Sequence, residues 1–182
     1  MKLQSDYHLL IDLKIQKLSL YYSNDHNWKS GEYRWNNTLP FTPVFSTLIS
    51  SAKNGLGQMI NSYKTPLGRH IIRAKIGNNV PINSVFVGRR LTGEIWHTDL
   101  EKKHTDRDWI LTRIFWLSGL EKGFNRQGNV DTMKRYIYIH GSPPNVKMGE
   151  VGSKGCVRMN GEDIIKLFDI VPVFTTVNLK YL

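Results

Sequence analysis

Alternation between apolar and polar residues is the sequence feature that most constrains the fold of this chain. The pattern is clearest in residues 8–22, where every second position is apolar: Leu9, Ile11, Leu13 and Ile15. Side chains two positions apart lie on the same face of a strand, so the spacing predicts one or two strands with a hairpin near residues 14–16. Similar segments predict further strands at 43–51, 70–76, 85–89, 108–117, 135–140 and 173–179. The chain is therefore predicted to be mainly β.

One helix is predicted, shortly after the single cysteine of the chain. Asn160 is a residue type that caps helices, and Asp163 follows three positions later, as in a capping box. The next residues form an apolar face over about two turns: Ile164, Ile165, Leu167 and Phe168. Polar residues, glycine and proline predict loops at 23–40, with one strand near Tyr33, at 53–69 and at 93–108.

The size and composition of the chain limit the classes of protein to consider. Its 182 residues are enough for one domain, and we expect residues 1–182 to form a single one. No stretch approaches the roughly 18 apolar residues of a membrane-spanning helix, and the first residues lack the pattern of a signal peptide. That pattern fits a protein that stays inside the cell or a trimmed mature form. The net charge of +10 favours polyanions, but no nucleic-acid-binding motif is present, so no nucleic-acid partner is expected.

The lone cysteine, Cys156, lies between a glycine and basic residues in the segment 153–158. A single cysteine excludes an intramolecular disulfide and a cysteine-rich zinc site, and no zinc-binding template is present elsewhere. Two interpretations remain for this residue. It is either a small buried core residue or a nucleophile whose base is His140, at the end of a predicted strand. Nearby cations would favour the reactive thiolate.

Two neighbours of Cys156 are suited to an acyl-transfer site. Gly155 lets the backbone approach a substrate closely, and the amides of Gly155 and Cys156 are candidates to bind the oxyanion that forms when a carbonyl is attacked. Arg158 lies on the same face as the cysteine if this segment is extended. There it could hold a substrate carboxylate or lower the thiol pKa, or it could instead form a salt bridge to Asp163 or Glu162.

Several motifs occur in a fixed order along the chain. A His-Gly pair, His140-Gly141, is followed by a variable stretch, by the Gly-Cys-Val-Arg motif of residues 155–158 and by the predicted helix. The segment 65–68 reads Thr-Pro-Leu-Gly. Together these motifs resemble the signature of the YkuD-type L,D-transpeptidase family. The resemblance extends from residue 8 to residue 179, with 90–130 less typical and expected to be an elaboration near the site.

The resemblance implies a YkuD-like β-sandwich with one short helix after the cysteine. Enzymes of this family attack the carbonyl after the third residue, a diamino acid, of a peptidoglycan tetrapeptide stem. They release the terminal D-alanine, form a thioacyl-enzyme and pass the acyl group to an amine. Carbapenems are expected to acylate the thiol, and no metal or organic cofactor is implied. The substrate lies outside the cytoplasmic membrane, so the resemblance implies the periplasm or cell envelope.

The same resemblance assigns roles to individual residues. Cys156 is the nucleophile, and His140 is the base and then the acid. The carbonyl of Gly141 is expected to orient the imidazole, and Gly155 to help bind the oxyanion. Three further residues are candidates for substrate binding: Ser153, Lys154 and Arg158.

One position departs from the family pattern. The family usually has a histidine where this chain has Lys154. A lysine ammonium would add a charge that favours the thiolate of Cys156. It would otherwise change the acceptor or weaken catalysis.

Two alternative functions remain open at this point. Water could replace the amine acceptor, which would make the protein an L,D-carboxypeptidase, an endopeptidase or an amidase with the same Cys-His pair. The protein could instead be a non-catalytic wall-binding module that uses the basic groove and three aromatic residues: Trp96, Trp109 and Trp116.

Overall fold

A computed structural model describes residues 6–22 and 42–182, so the predicted strand near Tyr33 lies outside the described residues. The strands in this part are β1 (Tyr7–Asp12), β2 (Lys17–Tyr22), β3 (Phe45–Leu48), β4 (Gly68–Ile76), β5 (Ser84–Val87), β6 (Arg90–Ile95), β7 (Ile110–Gly119), β8 (Tyr138–Gly141), β9 (Val157–Met159) and β10 (Thr176–Lys180). Two α-helices accompany them, α1 (Thr98–Lys103) and α2 (Gly161–Ile170). The prediction of a mainly β chain is confirmed. Neither helix is long and apolar enough to cross a membrane.

The strands form one hydrogen-bonded network that closes on itself. β3, β2, β1, β10, β4 and β7 follow one another, with β1 and β10 parallel, and β7 then pairs with β8, which pairs in parallel with β9. Ser50, just after β3, completes the circuit, because its amide donates to the Arg158 carbonyl at 3.0 Å and its carbonyl accepts from the Arg158 amide at 2.9 Å. The inner faces of these strands enclose the core.

The N-terminal hairpin shows how the alternating pattern fills this core. Leu9 and Ile11 of β1 are fully buried and Leu13 is 3% exposed, as their shared parity predicts. Ile15 is 57% exposed because residues 13–16 form the turn between β1 and β2, where the alternation ends. Each buried aliphatic side chain contributes about 1.5–3 kcal/mol of hydrophobic stabilisation.

Strand β7 pairs with three other strands and so connects the main sheet with the site. One edge of β7 pairs with β4 and, towards its start, with β5, while the other edge pairs with β8. The pairing with β8 shifts register between Leu111 and Ile114, and Thr112 between them has a φ of 70°. This bulge bends β7, and His140 of β8 lies directly opposite Ile114.

Helix α2 begins where the sequence predicts. The Asn160 side chain accepts a hydrogen bond from the Glu162 amide at 2.9 Å. Asp163 does not complete the capping box, because its carboxylate accepts from the Thr47 hydroxyl at 2.6 Å. The helix buries three apolar side chains, Ile164, Leu167 and Phe168, while Ile165 is half-buried.

The prediction that residues 93–108 are irregular is wrong in part. β6 continues to Ile95, and α1 follows it, with the His97 side chain accepting from the Leu100 amide at 3.4 Å as the N-cap. No residue of α1 is buried, so the helix leaves no apolar periodicity in the sequence from which it could be predicted.

Candidate active site

Cys156 lies in the turn that leads into β9, with its thiol between two backbone groups of the facing segment. The sulfur accepts a hydrogen bond from the Tyr138 amide at 3.3 Å and donates one to the Tyr136 carbonyl at 3.4 Å. The residue is half-buried and packs against Phe86, Ile114 and Tyr138. Burial raises the pKa of the thiol to about 12, and the Tyr138 amide opposes this only in part. The resting group is therefore a neutral thiol.

His140 is a buried imidazole whose tautomer follows from its surroundings. It is 1% exposed, and its Nδ1 lies 2.8 Å from the carbonyl oxygen of Gly141. A carbonyl can only accept a hydrogen bond, so Nδ1 carries the proton and Nε2 is the unprotonated nitrogen. Burial lowers the pKa of His140, which keeps the ring neutral, and the Gly141 carbonyl opposes this shift in part. A neutral ring with a bare Nε2 is a competent base.

Glycine is required at position 141 by the bulge in β7. A Cβ built there would lie 2.7 Å from the carbonyl oxygen of Leu111, a distance that real Cβ atoms do not show. The absence of a side chain therefore lets β8 approach β7 closely enough to hold His140 in the core.

Arg158 lies opposite His140 in the parallel pair of β8 and β9, so the two side chains share one face. Its guanidinium donates to the Asp108 carboxylate at 2.6 Å and to the Gly152 carbonyl at 3.2 Å. The expected salt bridge to Asp163 or Glu162 is therefore wrong. Arg158 points across the sheet toward the segment before β7, and both of those acids lie at the start of α2.

The ion pair of Asp108 and Arg158 acts on both reacting groups. The negative charge of Asp108 raises the pKa values of His140 and Cys156, and the positive charge of Arg158 lowers both. These effects are smaller than burial for each group. Asp108 had no recognisable motif in the sequence, and it comes from the 90–130 segment that was expected to lie near the site.

The turn before Cys156 is held together by two hydroxyl groups. Ser153 Oγ donates to the Cys156 carbonyl at 2.5 Å and accepts from the Gly155 amide at 3.2 Å. Thr65 Oγ1 donates to the Gly155 carbonyl at 3.0 Å and accepts from the Ala52 amide at 3.0 Å. Gly155 has a φ of 129°, which favours glycine.

These hydrogen bonds indicate which backbone amide still has an N–H group available to bind an oxyanion. The amides of Gly155 and Cys156 were both candidates, but the Gly155 amide already donates within the turn. The Cys156 amide has no acceptor among the described backbone groups. The buried hydroxyl of Ser153 is likewise used inside the turn, so it orders the loop and does not face a substrate.

A cluster of aromatic residues and one arginine lies beside the thiol, and sequence analysis missed it. The Arg89 guanidinium lies over the Trp116 ring at 4.6 Å and the Tyr136 ring at 4.9 Å. It also donates to the Tyr138 hydroxyl at 3.2 Å. Arg89 is in the turn between β5 and β6, so no local sequence pattern connects it with β8.

The two other tryptophans proposed for wall binding do not face the surface. Trp96 is 8% exposed and Trp109 is 6% exposed, and they pack with Val85 and Leu111 in a small core cluster. Only Trp116 of the three lies beside the site. The aromatic basis for a wall-binding module is therefore reduced to one residue.

A pocket of about 220 Å³ is lined by Tyr136, whose carbonyl accepts from the thiol, and by Lys154, two positions before Cys156. Its lining includes Ile60, Tyr63, Lys134, Tyr136 and Lys154, and the last of these is exposed. Within the described ranges, no three His, Cys, Asp or Glu side chains come together as a metal site.

Comparison with known proteins identifies the family. The family model of the YkuD L,D-transpeptidase catalytic domain matches residues 6–179. The chain belongs to this family. This confirms the resemblance that the His-Gly and Gly-Cys motifs indicated. Probable L,D-transpeptidase ErfK/SrfK of Escherichia coli is 32% identical over 116 residues, which are 56% of this chain and 37% of that protein.

Two solved structures of other proteins share the fold of this chain. Bdellovibrio bacteriovorus Bd1075 superimposes with a TM-score of 0.54 at 17% identity, covering 97% of this chain and 48% of that one. The L,D-transpeptidase LdtMt1 in complex with imipenem gives a TM-score of 0.51 at 11% identity, covering 96% of this chain and 59% of that one. At these identities the likeness shows the fold alone, and this chain spans about half the length of either protein.

Proposed function

We propose that this protein is an L,D-transpeptidase that acts on peptidoglycan tetrapeptide stems through a thioester on Cys156. The observation that carries the proposal is the arrangement of the pair in a chain of this family. A neutral thiol just before β9 and a neutral imidazole with a bare Nε2 on β8 lie on adjacent segments, and Tyr136, whose carbonyl accepts from the thiol, lines a pocket.

In the first half-reaction a C–S bond replaces the C–N bond of the substrate, and the thiol proton passes through His140 to the leaving amine. Within the described residues the thiol donates to Tyr136 and not to His140, so S–H must first turn toward Nε2 as the substrate binds. Nε2 takes the thiol proton while Sγ attacks the carbonyl carbon of the third residue. The C–N bond then breaks, the imidazolium gives its proton to the amine of D-alanine, and the thioester remains.

The second half-reaction releases the enzyme. An amine from another stem attacks the thioester carbon, Nε2 takes a proton from that amine, and the C–S bond breaks. The sulfur leaves as thiolate and recovers the proton from the imidazolium. During both steps the oxyanion is bound by the Cys156 amide, which has no other acceptor among the described backbone groups.

Arg158 is a positioning residue in this proposal and not a carboxylate clamp. Its guanidinium is occupied by Asp108 and Gly152. The negative charge of Asp108 favours the imidazolium that forms on His140 in each half-reaction. The pair thus supplies a fixed field at the point where charge develops.

Intact-mass spectrometry with imipenem tests the nucleophile. We expect one covalent adduct on the wild-type chain and none on Cys156→Ala, whose fold is checked by circular dichroism. A folded wild-type protein without an adduct would contradict the assignment.

Tetrapeptide turnover tests the acceptor. We expect release of D-alanine and, when a second stem is added, a new amide between the two peptides. Release of D-alanine with a free-acid product only would identify a carboxypeptidase with the same residues. The same substrate places the protein in the cell envelope, which fractionation of a producing cell would check.

A further inference from the structure

The pocket is lined in part by residues that adjoin Cys156 in the chain or contact its thiol. Tyr136 takes part in both the thiol contact and the lining, because its carbonyl accepts from Cys156 Sγ at 3.4 Å and its side chain lines the pocket. Lys154, two positions before the cysteine, lines it as well. The pocket is therefore a candidate to hold the part of a substrate that flanks the carbonyl bound to Sγ.

Two positive charges line the pocket and have no ionic partner within it. The side chains of Lys134 and Lys154 are exposed, and neither ammonium takes part in the ion pairs or hydrogen bonds of the described residues. Against the effect of burial, backbone hydrogen bonds and the charge of Lys134 lower the pKa of Asp131, but no ion pair joins Asp131 to Lys134 within the described residues. The Asp131 carboxylate accepts from the backbone amides of Gln127 at 2.7 Å and Lys134 at 3.0 Å.

The third cationic side chain of the pocket, that of Arg135, is already hydrogen-bonded to backbone carbonyls. The Arg135 guanidinium donates to the carbonyls of Gly57 at 3.1 Å and Lys64 at 2.6 Å, so it anchors the neighbouring loop. The remaining lining includes the half-exposed rings of Tyr63 and Tyr136, at 58% and 54%, which can cover the carbon chain of a bound peptide. The pocket therefore combines mobile ammonium groups with apolar walls.

On the basis of the proposed function, we propose that Lys134 and Lys154 form a subsite for a carboxylate of the peptide substrate. Lys154 presents an ammonium group, which can only donate hydrogen bonds, at this point of the pocket lining. An ammonium attracts a carboxylate much more strongly than an uncharged amide. Two carboxylates of such a stem are the candidates: one on the third side chain, where the diamino acid carries one there, and one on the terminal D-alanine.

Four synthetic tetrapeptides distinguish these two sources. They carry either a carboxylate or a carboxamide on the third side chain, combined with either a free or an amidated C-terminus. We expect kcat/KM for release of the terminal residue to be about tenfold higher with the acid at one of the two positions, which corresponds to about 1.4 kcal/mol. The position that shows the preference identifies the bound carboxylate.

Three variants then test the two lysines. We expect Lys154→Gln to reduce the acid preference several-fold and the double change Lys134→Gln/Lys154→Gln to bring it close to one. Lys147→Gln is the matched control, because Lys147 is an equally exposed lysine that pairs with Glu150 outside the pocket. Equal kcat/KM for all four peptides, or a preference that survives the double change, would overturn the subsite.

A binding measurement separates this subsite from the proposed reaction. Calorimetric titration of Cys156→Ala with the four peptides needs no turnover, and we expect the same acid preference in the dissociation constants. If no peptide acylates the wild-type chain, the proposed function fails, while the titration still reports on the subsite. If all four peptides are turned over but bind Cys156→Ala equally, only the subsite fails.

Discussion

At the scale of single residues, the site depends on how burial shifts the pKa values of the His140 imidazole and the Cys156 thiol. Both groups are neutral in their resting state because burial disfavours the charged form of each. His140 and Gly141 are adjacent in sequence, so the contact of the imidazole with the Gly141 carbonyl could be expected from the His-Gly motif, and their roles in catalysis stay predictions. The presence of Asp108 at the site could not be predicted, because Asp108 reaches the site through a contact with Arg158, which lies 50 positions later.

The neutral pair predicts how acylation depends on pH. His140 accepts a proton only while it is unprotonated, and burial places its pKa below the usual 6.5. We expect the second-order rate constant for imipenem acylation to be level from pH 9 to pH 6.5 and to fall at more acidic pH, after the His140 pKa is passed. A thiol with a pKa of about 12 adds no ionisation step in this range. A rate that rises through pH 8–9 would show that a free thiolate reacts instead.

Removal of the Asp108 charge tests the field on the imidazole. In Asp108→Asn the Arg158 charge loses its ionic partner, and both changes disfavour a protonated His140. We expect the acidic limb of acylation to move to lower pH, because the His140 pKa falls, and the rate on the plateau to change by less than about tenfold, because the same substitution lowers the pKa of the Cys156 thiol. Asp106→Asn is the control, because Asp106 is exposed two positions away. An unchanged pH profile in Asp108→Asn would limit the pair to a structural role.

At the scale of elements, the turn of residues 153–156 and the turn at Thr65 depend on each other. Thr65 is fully buried and connects the Ala52 amide with the Gly155 carbonyl. The Thr-Pro-Leu-Gly and Gly-Cys motifs could each be recognised in the sequence. Their contact could not be predicted, because a hydrogen bond across 90 positions leaves no local periodicity.

Thr65→Val measures what this contact contributes. The substitution keeps the shape of the side chain but leaves one buried donor and one buried acceptor without a partner, which costs about 1–3 kcal/mol. We expect that loss in urea unfolding and slower acylation at a pH where the variant is folded. Thr47→Val, which removes a hydroxyl bonded to Asp163, serves as control. We expect its acylation rate to match the wild type, and equal slowing in both variants would exclude a specific role for Thr65.

At the scale of the whole molecule, the order of the strands could not be predicted although most strands were. Periodicity shows that a segment is extended and which face is apolar, but it does not report the partner of a strand. The parallel pairing of β1 with β10, where Leu9 lies opposite Val177, joins segments from the two ends of the described chain. Three histidines are buried in the interior of this fold: His8, His70 and His140.

These histidines predict that stability falls at acidic pH. Burial lowers the pKa of His8 to about 3 and that of His70 to about 4, and that of His140 below its usual value. Below pH 6.5 the unfolded chain binds protons that the folded chain does not, so their stabilisation is complete above pH 6.5 and is lost as pH falls. For His70 alone the loss is on the order of 3 kcal/mol by pH 4.

Thermal unfolding between pH 7 and pH 4 checks this expectation. We expect the melting temperature to decrease steadily over the range, and to decrease less in His70→Gln. That variant removes one proton-binding group and retains a side chain able to bond the Thr132 hydroxyl, which lies 3.0 Å from Nε2 of His70. A melting temperature independent of pH would show that the imidazoles remain hydrated.

The position of β1 between β2 and β10 has a consequence for biosynthesis. Among the described strands β1 is synthesised first and becomes an interior strand, and one of its two neighbours is 168 positions away, at the pair His8 and Thr176. At roughly 5–20 residues per second, the ribosome needs roughly 8–34 s to deliver that neighbour. Throughout that interval the edge of β1 that later pairs with β10 stays open, and an open strand edge is a template for pairing with other chains until β10 emerges.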